Sequence, residues 1–207
     1  RDVAHIADVL AAGANKSAAD VGQLGDALRQ GGLVAAQTGL DLEDTVGVLA
    51  AFADNALIGS DAGTSLKTML QRLTPQSAEA ADLMAELGIN AYDAAGQFVG
   101  LEKFAGNLQA SLRDLTPEAR NAALQVLFGS DAVRGANVLY DLGEKGVRDY
   151  TRAVNDQGAA SRMAATQLDN LAGDFEQLSG SIETTFIKSG SGANSLLRDM
   201  TQAATGA

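Results

Sequence analysis

The chain has no cysteine and a single histidine among its 207 residues. Without thiols there is neither a disulfide framework nor a thiolate metal site, which suits a protein made and used in a reducing compartment. His5 sits beside Ala4 and Ile6, with Asp8 near it at helical spacing. One imidazole in such company makes no zinc site and no Ser-His-Asp constellation, so a structural or surface role is expected. Aromatic residues are only 4% of the chain. Large rings carry the biggest apolar payload on burial, so modest stability is expected. Basic residues are outnumbered, 15 against 26 acidic, for a net charge of −11. An acidic surface repels phosphate backbones and lacks the clustered Lys and Arg that anionic lipid requires, so no nucleic-acid partner is expected. Because the acidic residues are spread along the chain, they read as a solvated surface.

Long hydrophobic runs are missing too. The longest, "TVGVLAAFADNALIG" (45–59), contains Asp54 and is too short to span a bilayer. It reads as a buried helix, and no membrane segment or secretory signal is visible. No phosphate loop of the G-x-x-x-x-G-K-[ST] kind occurs, and no G-x-G-x-x-G follows a strand. Acidic residues are numerous, but none clusters with aromatics that could line a sugar cleft. The expectation is therefore a protein without catalytic residues, cofactor or metal, and not an enzyme. Arg1 falls in mid-pattern and the chain closes on "QAATGA", so it reads as a piece of something longer.

Helical periodicity and glycine are present in quantity. Glycine stands at 23 positions, roughly 11% against a usual ~7%. Apolar residues recur at helical spacing throughout, and β-branched alternation is nearly absent. Val3, Ile6, Val9 and Leu10 mark a first helix that fades at Gly13. Ser17 is a candidate cap for the next, in which Gly31-Gly32 can bend or break the helix. Asp41 opens a third, followed by Glu43 and Asp44 at the positive end of its dipole. Leu66, Met69, Leu70 and Leu73 give a fourth its apolar face.

Two phrases, "LTPQSAEAADLMAELG" (73–88) and "LTPEARNAALQVLFG" (115–129), share a design. Thr caps, Pro takes the first helical position, and Gly ends the helix in a left-handed conformation. "GSDA" also occurs twice, at 59–62 and 129–132. No single period relates the echoes, so they are repeated punctuation rather than a tandem repeat. Between them, 89–99 breaks the helical pattern. It reads as a small β-hairpin turning at Asp93 and Gly96, lying on helices, with an irregular loop as the alternative. Helices at 101–115, 130–143 and 144–155 follow.

After residue 155 the style changes. From about Ala159 to Lys188 there is neither proline nor paired glycine, enough for about 45 Å of helix. Leu168, Leu171, Phe175, Leu178 and Ile182 fall at steps of three and four, a heptad seam of about two and a half repeats. It serves either self-association or packing on the chain's own bundle. "KSGSGANS" (188–195) then reads as a flexible joint. The expected architecture is all-α. A helical core domain over 1–155, with the hairpin near 89–99, precedes a long helix with coiled-coil character over 156–188. A joint and terminal helix occupy 189–207.

In this order, "AGTSLKTMLQRL" (62–73), the stretch from "LGINAYDAAGQFVG" to "LYDLGEKG" (87–146) and "QLDNLAGDFEQLSGSIE" (167–183) resemble the core region of phage tail tape measure proteins. The resemblance covers roughly residues 30 to 187. It implies a structural virion protein that fills the tail-tube lumen, sets tail length during assembly and leaves before the DNA. It also implies tail-tube and tail-tip proteins and tail assembly chaperones as partners, with the host cytoplasm as the place of assembly. Full-length members are far longer, often with hydrophobic segments and sometimes a wall-degrading domain, neither of which is visible here. The competing class is a free-standing helical interaction module or a secreted effector from a mobile element.

Overall fold

The computed structural model describes residues 3–170. Those residues are helical, with no β-strand among them. The order is α1 (Val3–Lys16), α2 (Val21–Thr38), α3 (Leu42–Asp54), α4 (Gly59–Gln71), α5 (Ala78–Leu87), α6 (Leu101–Leu112) and α7 (Pro117–Val154). An eighth helix, α8, begins at residue 159 and is described to residue 170. The chain divides into two compact units, 1–161 and 162–207. Of the second, only the helical residues 162–170 are described.

Four helix starts are set by one local side chain. Asp20 caps α2 in a full capping box with Gln23, and the Asp41 carboxylate accepts the Asp44 amide at 2.7 Å to open α3. Ser77 caps α5 and Thr116 caps α7, with Pro117 at its first position. Each supplies an acceptor to an amide that the helix itself leaves unbonded. Three expectations fail at this level. Gly13 does not end α1, which runs on to Lys16; with no Cβ, Gly13 lets Val46 and Leu24 pack against the helix. Ser17 does not cap α2; its hydroxyl donates back to the Gly13 carbonyl at 2.8 Å, and Asp20 takes the role. Thr74-Pro75 opens no helix, because α5 starts three residues later at the Ser77 cap.

Gly31-Gly32 does not break α2, which runs on to Thr38. Gly31 lies where α2 crosses α4, so close that an added Cβ would stand 2.8 Å from the Gly63 carbonyl oxygen. α3 forms the centre: every residue from Thr45 to Ala53 is buried. A helix apolar on all sides is a buried one. Phe52 meets α7 at Gly135, and Gly47 meets it at Thr151.

α7 is bent twice. Gly129 (φ 70, ψ 179) and Gly143 (φ 60, ψ −168) leave helical geometry, in a region open essentially to glycine alone. The result is helical segments at 117–128, 130–142 and 144–154, matching the short helices read from the sequence. At the second break the Gln109 side-chain amide donates to the Tyr140 carbonyl at 2.9 Å. In an unbroken helix that carbonyl would accept the amide of residue 144, so α6 supplies the missing donor.

The expected hairpin at 89–99 is not formed. One isolated antiparallel bridge joins Tyr92 to Phe98, with no strand on either side. The Asp93 carboxylate takes the amides of Ala95 and Gln97, both at 2.9 Å. A side chain that satisfies the turn amides competes with a backbone ladder. Gly100 (φ 88) then redirects the chain into α6 before a second pair can form. Tyr92, Phe98, Phe104 and Phe128 continue as a series with centroids 6.3–6.4 Å apart, edge-to-face in the first and last pairs and tilted between Phe98 and Phe104. That series anchors the loop on α6 and α7, with each pair contributing about 0.5–1.5 kcal/mol beyond its buried area.

Candidate functional site

The sequence-derived candidates are the seam residues. Leu168 lies on α8 and is 66% exposed. Leu171, Phe175, Leu178 and Ile182 lie outside the described residues, and so does the coiled-coil character read from them.

Within the compact unit, charge gathers where α3, α6 and α7 meet. Arg148 of α7 forks between Glu102 of α6, at 3.0 Å, and Glu144 one turn earlier on its own helix. Hydrogen bonding to Glu102 raises the Arg148 pKa above its ordinary value. Asp44 on α3 is half-buried. That burial first, then the negative charges of Asp41, Glu102 and Glu43, pushes its carboxyl up to about 6. At the α1 end, His5 Nε2 meets Glu43 Oε1 at 2.7 Å. Hydrogen-bonded pairs thus tie α6 to α7 and α1 to α3, the first charge-assisted on both sides.

A second polar knot lies at the other end of α3. Asp54 accepts the amide of Ala18 at 2.8 Å and the hydroxyl of Tyr150. Burial and the Asp54 carboxylate push the Tyr150 hydroxyl up to about 12. Lys16 Nζ stands 5.5 Å from the centre of the same ring, within cation–π range.

The two "GSDA" phrases come together in space, a relation that sequence reading missed. Asp61 from the first and Ser130 and Asp131 from the second line one cleft with Leu57, Thr64 and Arg134. Arg134 is drawn to the cleft's edge by the Ala56 carbonyl, at 3.0 Å. In both phrases the glycine has positive φ, 59 at Gly59 and 70 at Gly129, and a helical turn follows. The signal available in the sequence was the repetition itself, read as punctuation but not as a pair. The cleft holds about 170 Å³, and a shallower one between Leu28, Gly32, Leu40 and Thr45 about 100 Å³. Both fall below the roughly 300 Å³ at which small-molecule sites begin. Among the described residues no cluster of His, Asp or Glu could hold a metal ion. No described helix is long and apolar enough to cross a membrane. Among the described residues these contacts act as helix-to-helix fasteners.

Comparison with known proteins accords with an arrangement of that kind. A sequence family described as phage-related minor tail protein matches residues 1–129. The chain belongs to that family. It is 36% identical over 184 residues to the tape measure protein of Pneumococcus phage Dp-1, an alignment covering 88% of this chain and 16% of that protein. It is 31% identical over 207 residues to the probable tape measure protein of Escherichia phage P2, covering 98% of this chain and 25% of that protein. The chain thus spans a quarter or less of the length of these two relatives. No solved structure matches it.

Proposed function

We propose that this chain is a segment of a phage tail tape measure protein. It is a non-enzymatic structural protein of the virion that sets tail length during assembly and occupies the tail-tube lumen until the genome is ejected. The observation that carries the reading is similarity at 36% and 31% identity, over nearly the whole chain, to two phage proteins bearing that name. The helical architecture supports it, since a ruler laid along a tube gains a fixed ~1.5 Å per helical residue. A free-standing interaction module or effector is disfavoured by the same similarity. In this reading residues 1–155 are a compact helical domain, 156–188 begin the extended helical part and 189–207 form a joint. Assembly takes place in the host cytoplasm, with tail-tube proteins, tail-tip proteins and assembly chaperones as partners.

Leu168, Leu171, Phe175, Leu178 and Ile182 are the self-association seam. Leu171→Asp would place a charge on that apolar stripe, and sedimentation should show the assembly dissociating while helicity stays. An unchanged mass would remove the seam from the proposal. The function itself is tested in the phage. In-frame deletions within extended helical segments of the full-length protein should shorten tails by about 1.5 Å per residue removed. Deletions within 60–146 should instead impair assembly without a proportional change in length. Electron micrographs showing constant tail length across the first series would refute the length-setting role.

A further inference from the structure

We propose that Asp8 is a positioning residue that starts α8. A carboxylate carried by α1 caps α8 across 150 residues of chain. The folded bundle, rather than the helix's own sequence, then fixes where this helix begins.

The contrast with the other capped helices carries the argument. α2, α3, α5 and α7 are each opened by the residue directly before them: Asp20, Asp41, Ser77 and Thr116. The residue directly before α8 is Gly158, at φ 79, which has no side chain with which to cap. Its amide donates instead to Asp8 Oδ2 at 2.9 Å, and the Ala160 amide donates to Asp8 Oδ1 at 3.0 Å. Both oxygens of one carboxylate are thus spent on the first turn of α8, where the helix dipole favours negative charge. Ala159, between the two donors, is fully buried, as is Val154 at the end of α7. Five residues along α1 from Asp8, Gly13 is bare of a side chain, and its Cβ position lies 3.7 Å from Val154 Cγ1. α1 therefore holds this root by a pair of hydrogen bonds and by close packing.

Starting a helix is the unfavourable step, with a nucleation constant near ~10⁻³, whereas extending it is nearly neutral per residue. A root fixed from outside removes most of that barrier. Helix formation from residue 159 onward is then coupled to folding of α1 against α7. The coupling is a property of the fold and does not depend on the tape-measure reading.

Amide hydrogen exchange on the full chain tests the proposal. Asp8→Ala should speed exchange across 158–170 about tenfold, the size expected for losing charge-assisted bonds, and leave the amides of α2, α3 and α4 as slow as before. Asp8→Asn, which keeps one acceptor oxygen but no charge, should give a smaller rise confined to the same residues. If both single variants leave 158–170 unchanged, the proposal is overturned. A uniform rise across 3–170 in both would also overturn it, since Asp8 would then be a general stabiliser.

Discussion

The crossing of α2 and α4 offers a sharp test of how this small-residue core is held. An ideal Cβ built on Gly63 would stand 2.1 Å from the Ala27 carbonyl oxygen, 2.8 Å from its carbon and 2.8 Å from Gln30 Cβ. The first two are backbone atoms that cannot rotate away, so Gly63→Ala must push the helices apart. The contacts that loosen belong to Leu24, Ala27 and Ala35 on α2 and to Leu66, Met69 and Leu70 on α4, all buried. A radial gap of 0.5–1 Å already forfeits about a quarter to a half of each dispersion well. Overpacking of this kind costs about 1–3 kcal/mol, and a clash with backbone belongs at the upper end. Alanine's better helix propensity offsets up to ~1 kcal/mol. The net loss is about 2–3 kcal/mol, or roughly 4–12 °C in Tm for a chain of this size. Gly25, on α2, has nothing within 4 Å of its Cβ position. Gly25→Ala should therefore stabilise by about 0.5–1 kcal/mol. Thermal unfolding followed at 222 nm compares the two variants with the unsubstituted chain. A Gly63→Ala protein melting at or above the parent would refute the packing argument, and so would a Gly25→Ala protein that falls equally far.

Asp44 should make the protein lose stability as pH rises. Its folded-state pKa, about 6 against an ordinary 3.8, lies above the unfolded one. Its contribution is therefore full below pH ~3.8, declines from there to pH ~6 and is gone above it. The nominal ~3 kcal/mol for such a shift shrinks to about 1 kcal/mol for a half-exposed group. Asp44→Asn should be more stable by that amount at pH 7, with a flatter urea midpoint between pH 4 and 6; an unaltered slope would assign the shift elsewhere. Ser65 Oγ is buried without a hydrogen-bond partner, beside the Gly135 backbone. Ser65→Ala should raise stability by about 1 kcal/mol, or 2–4 °C in Tm, and a lower Tm would reveal a partner for that hydroxyl.

What was legible in the sequence follows a physical division. Asp41, Thr116 with Pro117, and the glycine stops at 88, 129 and 143 act through the few residues around them, and local pattern places them correctly. Gly13, Gly31 and Ser17 were misread because what decides them comes from elsewhere in the chain. Gly13 faces Val46 and Gly31 faces Gly63, and a helical glycine looks like a breaker until the second helix is known. Ser17 lost its capping role to a better acceptor three residues on. The 89–99 segment was misread for a related reason. The Asp93 side chain and the aromatic series to Phe104 and Phe128 hold it as a loop, where the break in helical pattern and the turn residues Asp93 and Gly96 suggested a hairpin. Of the candidate site, the charge cluster was invisible in advance, since Glu102 and Arg148 are 46 residues apart. The pairing of the two "GSDA" phrases needed the fold in the same way.

The family match stops at residue 129, at the first break in α7, and the packing argues that this is no folding boundary. α3 is buried along Thr45–Ala53, and part of what covers it comes from beyond the match. Phe52 lies against Gly135, Gly47 against Thr151, and Gly13 near Val154. Removing 130–154 would also remove Val138, Leu139, Val147 and Val154 from the core. At about 1.5–3 kcal/mol for each buried side chain, that is roughly 6–12 kcal/mol, as large as the whole stability of an ordinary domain. A chain cut after residue 129 should therefore lack a cooperative unfolding transition, while one cut after residue 161 should keep it. Calorimetry on both truncations decides the matter. A cooperative transition in the shorter chain would mean that α1–α6 form a core by themselves and that the later segments of α7 merely dock upon it.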